Sequence, residues 1–159
     1  MKYFVKQKVF TLGEKFEIYD ENGIVRYRVE GALFSFGEKF KMYDEDGNLL
    51  YQLNQELFTW MPKFNLIKDD NIVASMKKKF TFFKSEYDIE QLGWKVKGDF
   101  WSHDFQIYDG SNVIATIRKE WFTLGDCYEF DILDTKNAEL VLAVILMIDE
   151  VIDQANNNN

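Results

Sequence analysis

The sequence predicts a mainly β protein: a closed barrel of twelve antiparallel strands threaded by one hydrophobic C-terminal α-helix. Three observations predict it. A short aromatic motif returns six times along the 159 residues. Behind most copies, apolar and polar residues alternate with the period of a half-buried strand. Residues 140–148 are nine apolar residues in a row, Leu, Val, Leu, Ala, Val, Ile, Leu, Met and Ile. A helix hydrophobic on every side is stable in water only when other structure surrounds it.

The motif sets the count of strands. Phe10-Thr11-Leu12-Gly13-Glu14 returns as Phe34-Ser35-Phe36-Gly37-Glu38 and as Phe58-Thr59-Trp60-Met61-Pro62. It returns again as Phe80-Thr81-Phe82-Phe83-Lys84, as Phe100-Trp101-Ser102-His103-Asp104 and as Phe122-Thr123-Leu124-Gly125-Asp126. The leading phenylalanines lie 20 to 24 residues apart, the mark of a repeated supersecondary unit. Each copy opens a short strand such as Lys15-Phe16-Glu17-Ile18-Tyr19-Asp20. The turns Asp20-Glu21-Asn22-Gly23 and Asp44-Glu45-Asp46-Gly47 end in glycines that supply the positive φ of a tight hairpin. Longer alternating strands follow, with Val25, Tyr27 and Val29 set against Arg26 and Arg28. The long strands are expected near 3–12, 25–36, 49–60, 72–83, 94–101 and 113–124. The short ones are expected near 14–19, 38–43, 62–68, 86–91, 103–108 and 127–133. Short connections make sequential neighbours antiparallel, and closure removes exposed edges.

Closure raises a problem of volume. About eight strands make a barrel its own side chains can fill, and twelve make one that is too wide. The filler is the apolar helix, expected over about residues 136–153 with Asp134 or Thr135 as N-cap. Eighteen helical residues span roughly 27 Å, about the height of such a barrel. Leu140, Val141, Val144, Ile145 and Ile148 are each expected to touch a different wall. The whole forms one domain over residues 1–155, followed by a polar tail at 156–159. The apolar run covers only about 13–14 Å at the helical rise, against a hydrocarbon core of roughly 30 Å, and carboxylates bracket it. A transmembrane role is not expected.

Composition limits the partners. The net charge is −8 and the pI about 4.7, which argues against a nucleic-acid partner and against broad attraction to anionic membranes, though a local basic patch is compatible with both. Cys127 is the single cysteine, so no intrachain disulfide forms. Charges at Lys2 and Lys6 interrupt the start of the chain where a signal peptide needs an apolar core. A cytoplasmic location is expected.

Candidate sites are few. Lys77, Lys78, Lys79 and Lys84 form the densest basic run and are the candidate contact for an anionic lipid headgroup or phosphate. On a strand Lys78 points away from Lys77 and Lys79, which favours a solvated strand end that discourages edge pairing. The acidic turns break the calcium-loop pattern, with Gln55 where a glutamate is needed, and read as hairpin turns. His103, the single histidine, stands between Ser102 and Asp104, and neighbours on a strand point to opposite faces, so the three form no relay. It reads as a turn residue, and Cys127 as an inert thiol. The aromatics, one near every turn, read as core and rim packing rather than as a stacking surface. No glycine-rich phosphate loop, nucleophile elbow or metal-ligand cluster is present, so neither catalysis nor a cofactor is expected.

The chain resembles the LURP-one-related proteins of the tubby-like superfamily from Lys2 to Asp153. The resemblance rests on the repeated Phe-Thr-Leu-Gly-Glu/Asp turns, on Gly98-Asp99-Phe100-Trp101, on Trp121-Phe122-Thr123-Leu124-Gly125-Asp126 and on the closing helix. It implies a twelve-stranded barrel around a buried helix. It also implies a non-enzymatic domain that binds a protein partner or membrane phospholipid through its surface. A small apolar ligand carried in the barrel, or an enzyme with a site assembled from scattered side chains, are the alternatives.

Overall fold

The computed structural model describes residues 1–6, 14–32, 36–77, 86–122 and 125–157. Twelve strands and one C-terminal helix make a nearly closed barrel. The strands are β1 (Lys2–Val5), β2 (Lys15–Asp20), β3 (Val25–Gly31), β4 (Glu38–Asp44), β5 (Leu49–Glu56) and β6 (Lys63–Lys68). They continue as β7 (Asn71–Lys77), β8 (Glu86–Ile89), β9 (Trp94–Asp99), β10 (Asp104–Asp109), β11 (Asn112–Phe122) and β12 (Gly125–Ile132). Every pairing is antiparallel, in the order β7-β6-β5-β4-β3-β2-β1-β12-β11-β10-β9-β8. The first and last strands are therefore neighbours, with Tyr3 opposite Phe130, and the Lys2 ammonium 2.7 Å from Glu129.

Closure falls between β7 and β8. Among the described residues a single bridge joins Ser75 to Glu90: the Glu90 N–H donates to Ser75 O at 2.8 Å and the Ser75 N–H to Glu90 O at 3.3 Å. The Glu90 carboxylate also gathers Lys77 at 3.0 Å and Lys63 at 3.2 Å across the seam. Beside it, buried Asn65 donates to Glu56 and accepts from the Ser75 hydroxyl, both at 2.7 Å, so that pair is satisfied inside the wall.

Period-two patterning builds the core. The strands send alternate side chains inward: Phe16 and Ile18 from β2, Tyr27 and Val29 from β3, Phe40 and Met42 from β4, and so on round to Tyr128, Phe130 and Ile132 from β12. They enclose α1 (Ala138–Asn157). Residues 141–149 of this helix are all buried. Nine consecutive positions at about 100° per residue sample every direction around the axis, so the helix is covered on all sides. Val141, Val144, Ile145 and Ile148 are buried as expected, and Leu140 is half-buried against the same cluster.

The helix departs from expectation at both ends. Asp134 starts a 3-10 turn (Thr135–Asn137) and makes no side-chain bond to the helix backbone; its carboxylate accepts instead from the Asn137 side chain at 2.8 Å. The α-helix proper begins at Ala138 and runs on to Asn157, so two residues of the expected polar tail are helical. Strand ends also differ. β5 stops at Glu56 rather than near 60, because Phe58 adopts a left-handed φ of 64° that no strand tolerates. The outer parts of the expected strands 3–12, 25–36 and 72–83 fall partly outside the described residues.

Candidate functional site

The up-and-down order gives the barrel two unlike ends. At one end lie the connections from even to odd strands, at 21–24, 45–48, 69–70, 91–93 and 110–111. Their charged residues are Glu21, Glu45, Asp46, Asp69 and Asp70, all acidic. The turns are self-contained. Asp44 Oδ1 accepts from the N–H of Asp46 at 3.0 Å and of Asn48 at 2.8 Å, and the Asn48 amide donates to Oδ2. These bonds hold the Asp44 carboxyl below the ordinary carboxylate range. Asp69 and Asp70 both sit at positive φ, the pair of conformations a two-residue hairpin requires. The structure thus accounts for the acidic residues as turn-formers.

The other end carries the motif connections, and there large apolar side chains face solvent. Phe36 is 95% exposed, Phe58 102%, Trp60 93% and Trp101 58%, with Leu57 and Met61 beside them. The aromatics of the motif therefore divide, and the expectation that they pack into core and rim needs correction. Phe100 is buried, edge-on to Tyr87 at 4.8 Å and 5.9 Å from Phe105, whereas the next residue, Trp101, points outward. Asp99 builds that turn: its carboxylate accepts from the N–H of Trp101 at 3.0 Å and the hydroxyl of Ser102 at 2.8 Å, which lowers its pKa. In the 57–62 connection the Thr59 hydroxyl donates to Met61 O at 2.8 Å, and the left-handed backbone of Phe58 turns its ring away from the wall.

The C-terminal end of the helix emerges inside this rim. His103, at φ 52°, is buried, and its Nδ1–H donates to Asp149 Oδ1 at 2.8 Å, with Asp153 Oδ1 3.9 Å from Nε2. Burial alone would lower the imidazole pKa; the hydrogen bond and charges of Asp149 and Asp153 outweigh it and raise the pKa. Burial pushes half-buried Glu150, one residue on, up to about 7. The reading of His103 as a turn residue holds for its backbone, but its partner lies 46 residues away.

Of the basic run, the described residues include Lys77 alone. Lys77 ends β7, paired with Glu90, while Lys78, Lys79 and Lys84 lie outside the described residues. A groove of about 370 Å³ runs along the outer faces of β2 and β3. Its cations are engaged: Lys15 with Glu30 at 2.8 Å, Arg28 with Glu17 at 3.5 Å, and Lys6 over the Tyr19 ring at 4.7 Å. Among the described residues no group of three His, Cys, Asp or Glu side chains is placed to hold a metal ion. No helix among them is long and apolar enough to cross a membrane.

Fold and site together define a helix-filled β-barrel with one acidic end and one aromatic end. The chain matches the LURP-one-related family over residues 1–149, and it belongs to that family. It is 32% identical over 152 residues to the uncharacterized protein YxjI of Bacillus subtilis (strain 168), covering 96% of this chain and 94% of that protein. An X-ray structure of a protein from Arabidopsis thaliana shares the fold at a TM-score of 0.64 and 15% identity, covering 94% of this chain and 91% of that one.

Proposed function

We propose that this protein is a cytoplasmic, non-enzymatic binding domain that docks its aromatic rim on a phospholipid surface. The observation that carries the reading is the placement of exposed aromatic side chains: among the described residues Phe36, Phe58, Trp60 and Trp101 all lie at one end, while acidic turns with scattered exposed aliphatics such as Ile24 and Leu49 occupy the other. Aromatic rings with amphipathic character settle at the headgroup boundary, and exposed clusters of this kind mark interaction surfaces. The net charge of −8 does not oppose this as strongly as its size suggests. A twenty-residue helix spans about 30 Å, so the acidic turns stand roughly four Debye lengths from the rim at physiological salt. Four aromatic side chains offer on the order of 6–12 kcal/mol of gross burial, comparable with the cost of association, so docking is weak and reversible.

The helix supports this reading over a ligand carrier, since its side chains occupy the lumen that a lipocalin-like ligand would need. Co-sedimentation with vesicles of phosphatidylcholine and phosphatidylglycerol tests it. Wild-type protein is expected to pellet, and the Phe58→Ser/Trp60→Ser variant to remain in the supernatant with an unchanged thermal midpoint. Wild-type protein that pellets with no vesicle composition sinks the reading, and capture of a protein partner through these same residues would replace it.

A further inference from the structure

The C-terminal half of α1 holds three carboxylates, Asp149, Glu150 and Asp153, with no basic residue in the final turn. Two hydrogen-bonded arms run from this helix end into the aromatic rim. In the first, Asp149 and Asp153 hold His103, which shares its four-residue connection with Trp101. In the second, the Gln154 amide donates to Glu150 at 3.0 Å and to Gln55 at 3.3 Å. The Gln55 N–H in turn donates to Gly37 O at 2.6 Å. Gln55 leads into the segment of Phe58 and Trp60, and Gly37 follows Phe36. Three separate aromatic segments are thus tied to one helix end.

The groups facing the two titrating side chains come from several elements. His103 meets Asp149 and Asp153 of α1, Lys119 of β11 and the ring of Tyr128 on β12 at 5.8 Å. Glu150 meets Gln154, Asp149 and Asp153 on its own helix and Lys39 of β4. We propose that the rim is proton-gated: protonated His103 latches the Trp101 segment for docking, and proton loss at the helix end loosens that segment and turns the mouth more negative. This rests on the rim being a phospholipid-docking surface. His103 and Glu150 act in the same direction, since each holds its proton more tightly in the fold than in the unfolded chain. Raising the pH discharges the imidazole that bonds Asp149, which weakens the Trp101 arm, and charges the Glu150 carboxyl, which keeps its bond from Gln154 and adds negative charge at the mouth. The mouth then gains about two negative charges, which oppose an anionic surface. An anionic membrane concentrates protons near itself, so approach favours the latched form.

The test uses vesicles of phosphatidylcholine with phosphatidylglycerol at about pH 6 and about pH 8, the range in which histidine titrates. Wild-type partitioning is expected to fall at least about tenfold at the higher pH, as one linked proton suffices to produce. In His103→Asn/Glu150→Gln it is expected to stay within about twofold; asparagine tolerates the left-handed backbone at position 103. Amide hydrogen exchange without vesicles, corrected for intrinsic rates, is measured in parallel. Protection of residues 100–103 is expected to drop at high pH in the wild type alone. Vesicle binding that ignores pH in the wild type overturns the gate and leaves docking standing. Absence of binding at both pH values refutes docking, and the exchange data then decide the latch: flat protection overturns it. If the double variant does not fold, Asp149→Asn replaces it, read by NMR titration of the single imidazole. Its midpoint is expected to drop, and an unmoved midpoint overturns the latch.

Discussion

Val144→Asp measures how completely the barrel encloses its helix. Val144 lies mid-helix with no exposed surface, between neighbours that are equally covered. Removing its side chain from the core forfeits about 1.5–3 kcal/mol of transfer free energy. An aspartate there has no partner, so it stays protonated; holding it neutral at pH 7 against an ordinary pKa near 3.9 costs about 4 kcal/mol. The combined loss of roughly 6–7 kcal/mol rivals the whole stability of many domains. The proton term shrinks to about 1.5 kcal/mol at pH 5, so the variant should recover in acid while Val144→Ala should not. Urea titration followed by circular dichroism at both pH values reads the difference. Leu133→Asp, at a site 55% exposed, serves as the control and should leave the midpoint nearly unchanged. If Val144→Asp unfolds within about 1 kcal/mol of the wild type at pH 7, the enclosed-helix reasoning is wrong.

Gly98→Ala should destabilise by more than about 2 kcal/mol in thermal melts. Gly98 has φ 150°, and an added Cβ would stand 2.6 Å from Phe105 Cα and 2.8 Å from its Cβ, and would also crowd the Asp104 carbonyl. Wild-type stability should fall as pH rises from about 5 to 8: Glu150 contributes its loss between about 4.5 and 7, and His103 contributes as pH passes its ordinary value and then its raised one. The Glu150 share is at most about 3 kcal/mol, and calorimetry on Glu150→Gln should show a flatter profile. A wild-type midpoint that rises over this range contradicts the arrangement at the helix end. Phe58→Ser/Trp60→Ser, by contrast, should leave the melt unmoved, since both rings are in solvent.

Much of this architecture was legible in the sequence because it follows from periodicity. Phe16 and Ile18, or Tyr27 and Val29, sit two apart and face one way, and that pattern repeated along the chain yields the strand count. The unbroken run at 140–148 could only be a core, and volume required one. The rim was not legible in the same way. Phe100 and Phe58 hold the same position in the motif, yet the first is buried and the second fully exposed, because a left-handed φ at Phe58 turns the chain. Nothing in the residue type of Phe58 announces that backbone. The pairing of His103 with Asp149 was equally hidden, since it joins a turn to a helix 46 residues later and depends on where the barrel places the helix end. The one available hint was the set of carboxylates at Asp149, Glu150 and Asp153 that follows the apolar run on the same helix.

The enclosed helix also constrains how the chain comes into being. It is the last element in sequence, and the wall it fills closes by pairing β1 with β12, whose partners lie more than 120 residues apart. A ribosome delivers all the inward-facing aromatics before it delivers what covers them. Neither the first strand's final neighbour nor the core's filler emerges until the eleven other strands have been made. The wall and the helix are therefore expected to come together late in folding, once β12 and α1 are both present. Until then the nascent chain carries apolar strand faces with nothing to cover them, a state prone to aggregation and in need of chaperone protection.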